Sequence, residues 1–332
     1  MTSKWSGSVP AVWAVWDVWD ENSPDRIIKP VAGDRVFRWI TAVCAAAIPV
    51  LMAGLVCVMV FNSHLALKKF GLGFLTSTAW NPIAQEYGAL SSIFGTGVST
   101  LIAMLIAMPM GLAVALFLVE WAPPKVEAFF GTAIELLAAV PSIIYGMWGL
   151  FVFAPFMADH VQPLLGRYLG FLPLFKGPPM GIGMLTTGII LALMILPFIS
   201  SVSRDVFKMV PSVLKESAYG LGATNWEVTK GVILPYALHG IIGAGFLGLG
   251  RALGETMAVT FVIGNSHRLS ASLFETGNSI ASTLANEFTE ASEPLYLHAL
   301  VALGLVLFLI TVTSQIAAQL WLRHIIKKAG GK

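Results

Sequence analysis

Six apolar runs, each long enough to cross a bilayer, constrain this chain more than any other feature of its sequence. Runs of at least ~18 residues fall at Trp39–Phe61, Leu90–Val119, Ala128–Phe153, Ile182–Ile199, Ala237–Ile263 and Leu295–Trp321. Only 11% of the residues are charged, against roughly 25% in ordinary soluble domains. The chain therefore reads as an all-α, polytopic membrane protein with six transmembrane helices. The second run carries no charge, and Pro109 within it predicts a kink. The third carries Glu135 and Pro141, and the fifth carries Arg251 and Glu255.

The loops set the expected orientation. Of the 20 Lys and Arg residues, Lys68, Lys69, Arg167, Lys176 and Arg268 fall on one side and Arg251 lies inside a run, which leaves fourteen on the other side. That asymmetry places both termini in the cytoplasm by the positive-inside rule. Acidic Asp17, Asp20, Glu21 and Asp25 argue against a signal peptide near the N-terminus. Trp13, Trp16 and Trp19 recur near helical spacing, which suits either a short interfacial helix or a mobile tail. Cys44 and Cys57 share one run at a helical separation of ~20 Å, too far to bridge.

Several chemistries find no support. The sequence has no GxxxxGK[ST] phosphate loop, no HExxH or Cys/His cluster among six scattered histidines, and no GxSxG elbow. An intramembrane enzyme is therefore disfavoured, and no metal is expected on the chain. The two long loops on the sparsely basic side, Ala154–Gly181 and Gly264–Pro294, either receive a partner or cap the bundle.

The stretch Ser203–Pro235, SRDVFKMVPSVLKESAYGLGATNWEVTKGVILP, reads as two short helices, Pro211–Tyr219 and Asn225–Ile233, with a glycine turn at Gly220–Gly222. Apolar Val213, Leu214, Trp226 and Val228 are interspersed with charges, as on a surface that docks with apolar anchors and a charged rim. Glu216-Ser217-Ala218, then Gly222-Ala223, then Val232 and Leu234-Pro235 resembles the EAA loop of ABC-importer permeases. Two positions depart from that pattern: Ser217 stands for alanine and Val232 for isoleucine. Two further stretches, ELLAAVPSIIYGMWGLF (Glu135–Phe151) and LGLGRALGETMAVTFVIGN (Leu247–Asn265), are similar to the permeases of phosphate importers. The resemblance covers roughly residues 36–325 and leaves out the tryptophan tract.

The resemblance implies a type I ABC importer permease fold over residues 39–325, between a cytoplasmic segment 1–38 and a tail 326–332. The loop at 203–235 would be a cytoplasmic coupling element that inserts into an ATPase subunit through Glu216, Ser217, Ala218, Gly222, Ala223, Leu234 and Pro235. Leu234-Pro235 would begin the next membrane helix. The chain would then form half of an inorganic phosphate pathway in the inner membrane. Its partners would be a second permease in a heterodimer, an ATPase dimer using ATP and Mg, and an extracytoplasmic phosphate-binding protein. It would contact lipid and no nucleic acid, and would bind no cofactor itself.

The intramembrane charges leave two readings open. A charge at such depth costs at least ~2.5 kcal/mol. At i, i+4 on one helix, Arg251 and Glu255 would share a face and neutralise one another, either as a packing device or as an anion contact beside the pathway. The family resemblance favours the contact, and a guanidinium suits phosphate oxygens bidentately. Glu135 is a further pathway candidate or else snorkels or pairs with a neighbouring helix; Ser142 is another, with Tyr145 as a second hydroxyl beyond the Pro141 break, unless that break is a kink satisfied by other helices. The alternative function, an ion-coupled secondary anion transporter using Arg251, Glu255 and Glu135 as a relay, has no need of a docking loop.

Overall fold

The computed structural model describes residues 32–329, so the tryptophan tract lies outside the described residues. Among the described residues, six helices are long and apolar enough to cross a membrane. The chain divides into two compact units between Cys57 and Val58. Over its described residues, the first unit is the opening part of α1 (Ala32–Phe70), a helix of 39 residues. Its rise of about 58 Å exceeds the ~30 Å hydrocarbon core. Cys44 and Cys57 are free and exposed on it.

The second unit is built around α2 (Leu90–Glu120) and α5 (Met184–Lys208), which pack more extensively than any other helix pair. Sequence explains why. Residues Ser92, Thr96, Ser99, Ala103, Ala107, Gly111 and Ala115 recur every three or four positions and are all buried. With no hydrophobic drive between helices in lipid, such a small-residue stripe lets two backbones approach and gain dispersion contacts. Buried Leu191, Met194, Ile195 and Ile199 of α5 fill the facing layer. α2 stays helical through Pro109.

The third run is not one helix. α3 (Pro124–Ala138) stops, and α4 begins at Ser142 and runs to Leu169. Pro141 excludes the residue before it from helical geometry and has no N–H to donate, so the expected span Ala128–Phe153 breaks at 139–141. The membrane-length helix is Ser142–Leu169, and much of the expected 154–181 loop is helix.

Three π-helical segments each end two residues before a proline: Gly149–Phe153 before Pro155, Met157–Val161 before Pro163, and Thr229–Ile233 before Pro235. In each, the residue ahead of the proline donates to the carbonyl five residues back (Ala154 to Gly149, Gln162 to Met157, Leu234 to Thr229). A proline ring collides with the carbonyl four residues back in a regular helix, and the widened turn accommodates it. This corrects a second expectation. Leu234-Pro235 does not begin a helix, because α7 runs unbroken from Asn225 to Leu253.

The chain ends of the bundle differ. At the end that carries the loop expected to dock, called the docking end below, α6 (Ser212–Gly220) joins α5 to α7. At the hairpin end, β1 (Trp80–Asn81) pairs with β2 (Glu86–Tyr87), and α8 (Met257–Val262) leads through an extended loop to α9 (Ile280–Glu287). The last helix, α10 (Pro294–Ala329), packs its Ala299, Leu300 and Leu303 against Phe74, Tyr87 and Ile280.

Candidate functional site: a broken helix and a docking loop

Gly250 and Gly254 are poor helix formers, and the fifth run breaks where they flank Arg251. Helix α7 ends at Leu253, Gly254 turns with φ −93° and ψ 0°, and α8 starts only at Met257. Arg251 occupies the last turn of α7, where a cation meets the negative end of the helix dipole favourably. Glu255 lies in the break. Its Oε1 accepts from the backbone N–H of Ala258 at 3.2 Å and so caps α8.

The shared helical face expected for Arg251 and Glu255 is therefore absent. No carboxylate among the described residues lies within 4.0 Å of the Arg251 guanidinium. Instead it stands 6.0 Å from the centre of the Phe198 ring, a cation–π distance, and the residue is exposed. The two residues are neighbours in the break, each with its own partner. The helix break is the physical reason, since the i, i+4 relation holds only while the helix continues.

The Pro141 break lies close by. Gly146 of α4 comes so near α8 that an added Cβ would sit 2.8 Å from the Phe261 ring and 3.0 Å from the Ala258 Cα. Only glycine permits that approach. Ser142 opens α4, and Tyr145 donates to the carbonyl of Leu137 at 3.1 Å across the break, beside the bond that carbonyl accepts from the Val140 N–H at 3.3 Å. Tyr145 also packs on the cluster that holds Ile195, Ala252 and Val259. Two interrupted helices, each with polar groups at its break, thus meet inside the bundle.

Glu135 is elsewhere. It sits in the last turn of α3 and forms an ion pair with Arg204 of α5. The structure brings Ser142 toward the Arg251 break through the α4–α8 contact and ties Glu135 to the docking end instead.

The docking loop has the expected helix–turn–helix form. Gly222 takes φ +88°, where a side chain would be strained. Ala223 donates to the carbonyl of Ala218 at 3.1 Å, closing the turn. Thr224 and Glu227 then form a capping box that starts α7. Ser217 donates to the carbonyl of Val213 at 2.7 Å, while Glu216 is exposed. Leu221 is 90% and Trp226 62% exposed, an apolar surface that suits a partner more than water.

One polar centre escaped the sequence reading. At the hairpin end, Glu287 Oε2 accepts from Trp80 Nε1 at 2.6 Å and from Tyr296 Oη at 2.7 Å. Its Oε1 lies 3.0 Å from His267 Nε2. The Trp80 and His267 rings stack at 5.2 Å, and Asn278 Nδ2 lies 3.0 Å from His267 Nδ1. Burial pushes the Glu287 carboxyl up, but the hydrogen bonds from His267, Tyr296 and Trp80 together hold it below the usual carboxylate range. A lowered folded pKa contributes stability above the unfolded value near 4.5 and loses it as pH falls through the folded value. Glu287→Gln is expected to loosen this corner by about 2 kcal/mol, read as faster amide exchange at Trp80–Tyr87. In the unmodified protein the same protection should fade on acidification below pH 4.5.

Residues 107–328 match the family described as "Binding-protein-dependent transport system inner membrane component". The chain is 52% identical over 301 residues, covering 90% of its own length and 92% of the relative, to the "Phosphate transport system permease protein PstC" of Mesorhizobium japonicum. It is 51% identical to the protein of that name from Pasteurella multocida, over 90% of this chain and 94% of the relative. Among solved structures, an inward-facing form of the MetNI methionine ABC transporter superposes with a TM-score of 0.54 at 16% identity, over 74% of this chain and 99% of that one. A bacterial ABC transporter that imports alginate gives 0.51 at 16% identity, over 86% and 98%. At such identity these two speak for the fold alone.

Proposed function

The chain belongs to the family of binding-protein-dependent transport system inner membrane components, and we propose that it forms half of the translocation pathway of an ATP-driven inorganic phosphate importer. The observation that carries this reading is the half-identity to phosphate transport permeases across nine-tenths of the chain. The chain is a multi-pass membrane protein of the type I ABC permease fold, a transport component and not an enzyme, and it works with other transporter subunits.

The finer assignments rest on geometry. The docking end faces the cytoplasm, as the excess of lysine and arginine there supports, and both termini lie on that side. The exposed Val213, Leu221 and Trp226 enter a groove on an ATPase subunit that holds ATP and Mg. A second permease completes the pathway, and an extracytoplasmic binding protein delivers phosphate at the hairpin end. Helix α7 carries both halves of the mechanism: from Asn225 beside the docking turn to Arg251 is about 39 Å of helix by rise. Closure of the ATPase pair moves α6 and the root of α7, and the far end of the same helix presents or withdraws the guanidinium. Arg251, without a carboxylate partner among the described residues, attracts the anion; Glu255 keeps α8 capped, and Ser142 lines the adjoining break. The ion-coupled carrier alternative is not favoured, because the relatives are ABC permeases and Glu135 pairs with Arg204 instead of joining a relay.

The test is the ATPase activity of the assembled complex with its binding protein, assayed across a series of oxyanions. Phosphate should stimulate hydrolysis most strongly. Stimulation by another anion, with none by phosphate, would overturn the substrate assignment.

A further inference from the structure

Helix α6 is weakly held for an element that must transmit force. None of its residues is buried, and its apolar attachment to the bundle is through half-buried Ala218. Its one ion pair among the described residues is Lys215 Nζ with Glu120 Oε1 at 2.5 Å, with side chains only 19% and 9% exposed. Glu120 is the final residue of α2 and the only charged residue in that helix. A carboxylate there sits at the negative end of the helix dipole, so on electrostatic grounds it needs a cation. Lys215 supplies it from the docking helix.

The pair belongs to a series of one polarity. Glu120 of α2 and Glu127 and Glu135 of α3 face Lys215 of α6 and Lys208 and Arg204 of α5. Two of these contacts join α3 to α5, and each has an exposed partner, Lys208 at 48% and Glu135 at 54%, so solvent screens them. Only the Glu120–Lys215 pair joins the docking helix to α2, and it is the most shielded as a pair. Because α2 and α5 form the main packed pair of the bundle, a force on α6 that reaches α2 acts on the core directly, beside the route through α7, whose Ile233, Ala237 and Ile241 pack in one cluster with Ala115 of α2 and Phe207 of α5.

We propose that Lys215 is a positioning residue for transport: its ion pair with Glu120 holds the docking helix against the end of α2 and passes the displacement of that helix into the α2–α5 core. This rests on the ABC-importer function proposed above. The pair requires opposite charge and not a particular order of charge, which sets the experiment.

In the complete transporter reconstituted with its ATPase and binding protein, phosphate uptake and ATP hydrolysis are measured together for the unmodified chain, E120Q, K215Q and the exchange E120K/K215E. Each single variant should still co-purify with its partners and hydrolyse ATP, yet move about fivefold less phosphate per ATP, at the lower end of typical inter-site coupling. The exchange should restore most of the ratio. An unchanged ratio in both single variants, a parallel fall in uptake and hydrolysis, or an exchange no better than the single variants would overturn the role of the pair. Unmodified complex that shows no ATP-driven phosphate uptake at all would overturn the proposed function, and the role of the pair with it.

Discussion

Arg251→Ala should lower ATP-driven phosphate uptake by about 100-fold while the complex still assembles, because hydrogen bonds to a charged group contribute about 1.5–3 kcal/mol each and 1.4 kcal/mol is a factor of ten. The expectation follows from what surrounds the guanidinium. It has the Phe198 ring beneath it at 6.0 Å, it lies at the C-terminal end of α7, and no carboxylate of the described residues pairs with it. Its removal therefore strands no buried acid, so the cost to folding is small and the loss falls on the anion. Arg251→Lys keeps the charge but not the planar fork, and an intermediate loss is expected. Glu255 separates the two original readings. As a cap of α8 it should tolerate Glu255→Gln better than an obligatory ion partner would, and uptake measured beside thermal unfolding of the purified complex shows which holds. Unchanged uptake in Arg251→Ala would remove this residue from the pathway.

The second large effect concerns the docking turn. Gly222→Asp should reduce phosphate uptake at least about tenfold while the bundle loses no more than about 1–2 kcal/mol of stability, the usual cost of a side chain in the left-handed region. An added Cβ at Gly222 meets nothing within 4 Å, so no packing inside the chain is disturbed. What changes is the surface between Leu221 and Trp226, where a carboxylate would have to enter a desolvated contact. Hydrolysis by the ATPase subunit should persist while uptake falls. Uptake that survives the change would place the docking surface elsewhere.

Much of this was legible in the sequence, for physical reasons that differ between elements. The docking loop was readable because its determinants are local: a glycine that can take φ +88°, a Thr224/Glu227 capping box and apolar residues set among charges. The number of spans was readable because hydrocarbon thickness fixes their length. Interruptions inside the runs were harder. Gly254, Glu255 and Thr256 continue an apolar run in composition, and only the structure shows α7 stopping before them, which dissolves the expected ion pair. Pro141 was visible as a break, but which side of it crosses the membrane was not, and of the two readings of Glu135, pathway group or partner of a neighbouring helix, the structure shows its pair with Arg204 of α5. Conversely, Pro235 suggested the start of a helix and is tolerated by a widened turn, as Pro155 and Pro163 are. The Glu287 centre was invisible because Trp80 and Glu287 are 207 residues apart, and nothing local marks them as partners.

The central claim, that this chain carries phosphate only when a partner hydrolyses ATP, is tested most directly by phosphate uptake into vesicles that contain the full complex with either an active or a hydrolysis-deficient ATPase subunit. Uptake is predicted with the active subunit and none above background with the deficient one. Phosphate entry that continues with the deficient subunit would contradict an ATP-driven importer and return the chain to the class of ion-coupled carriers.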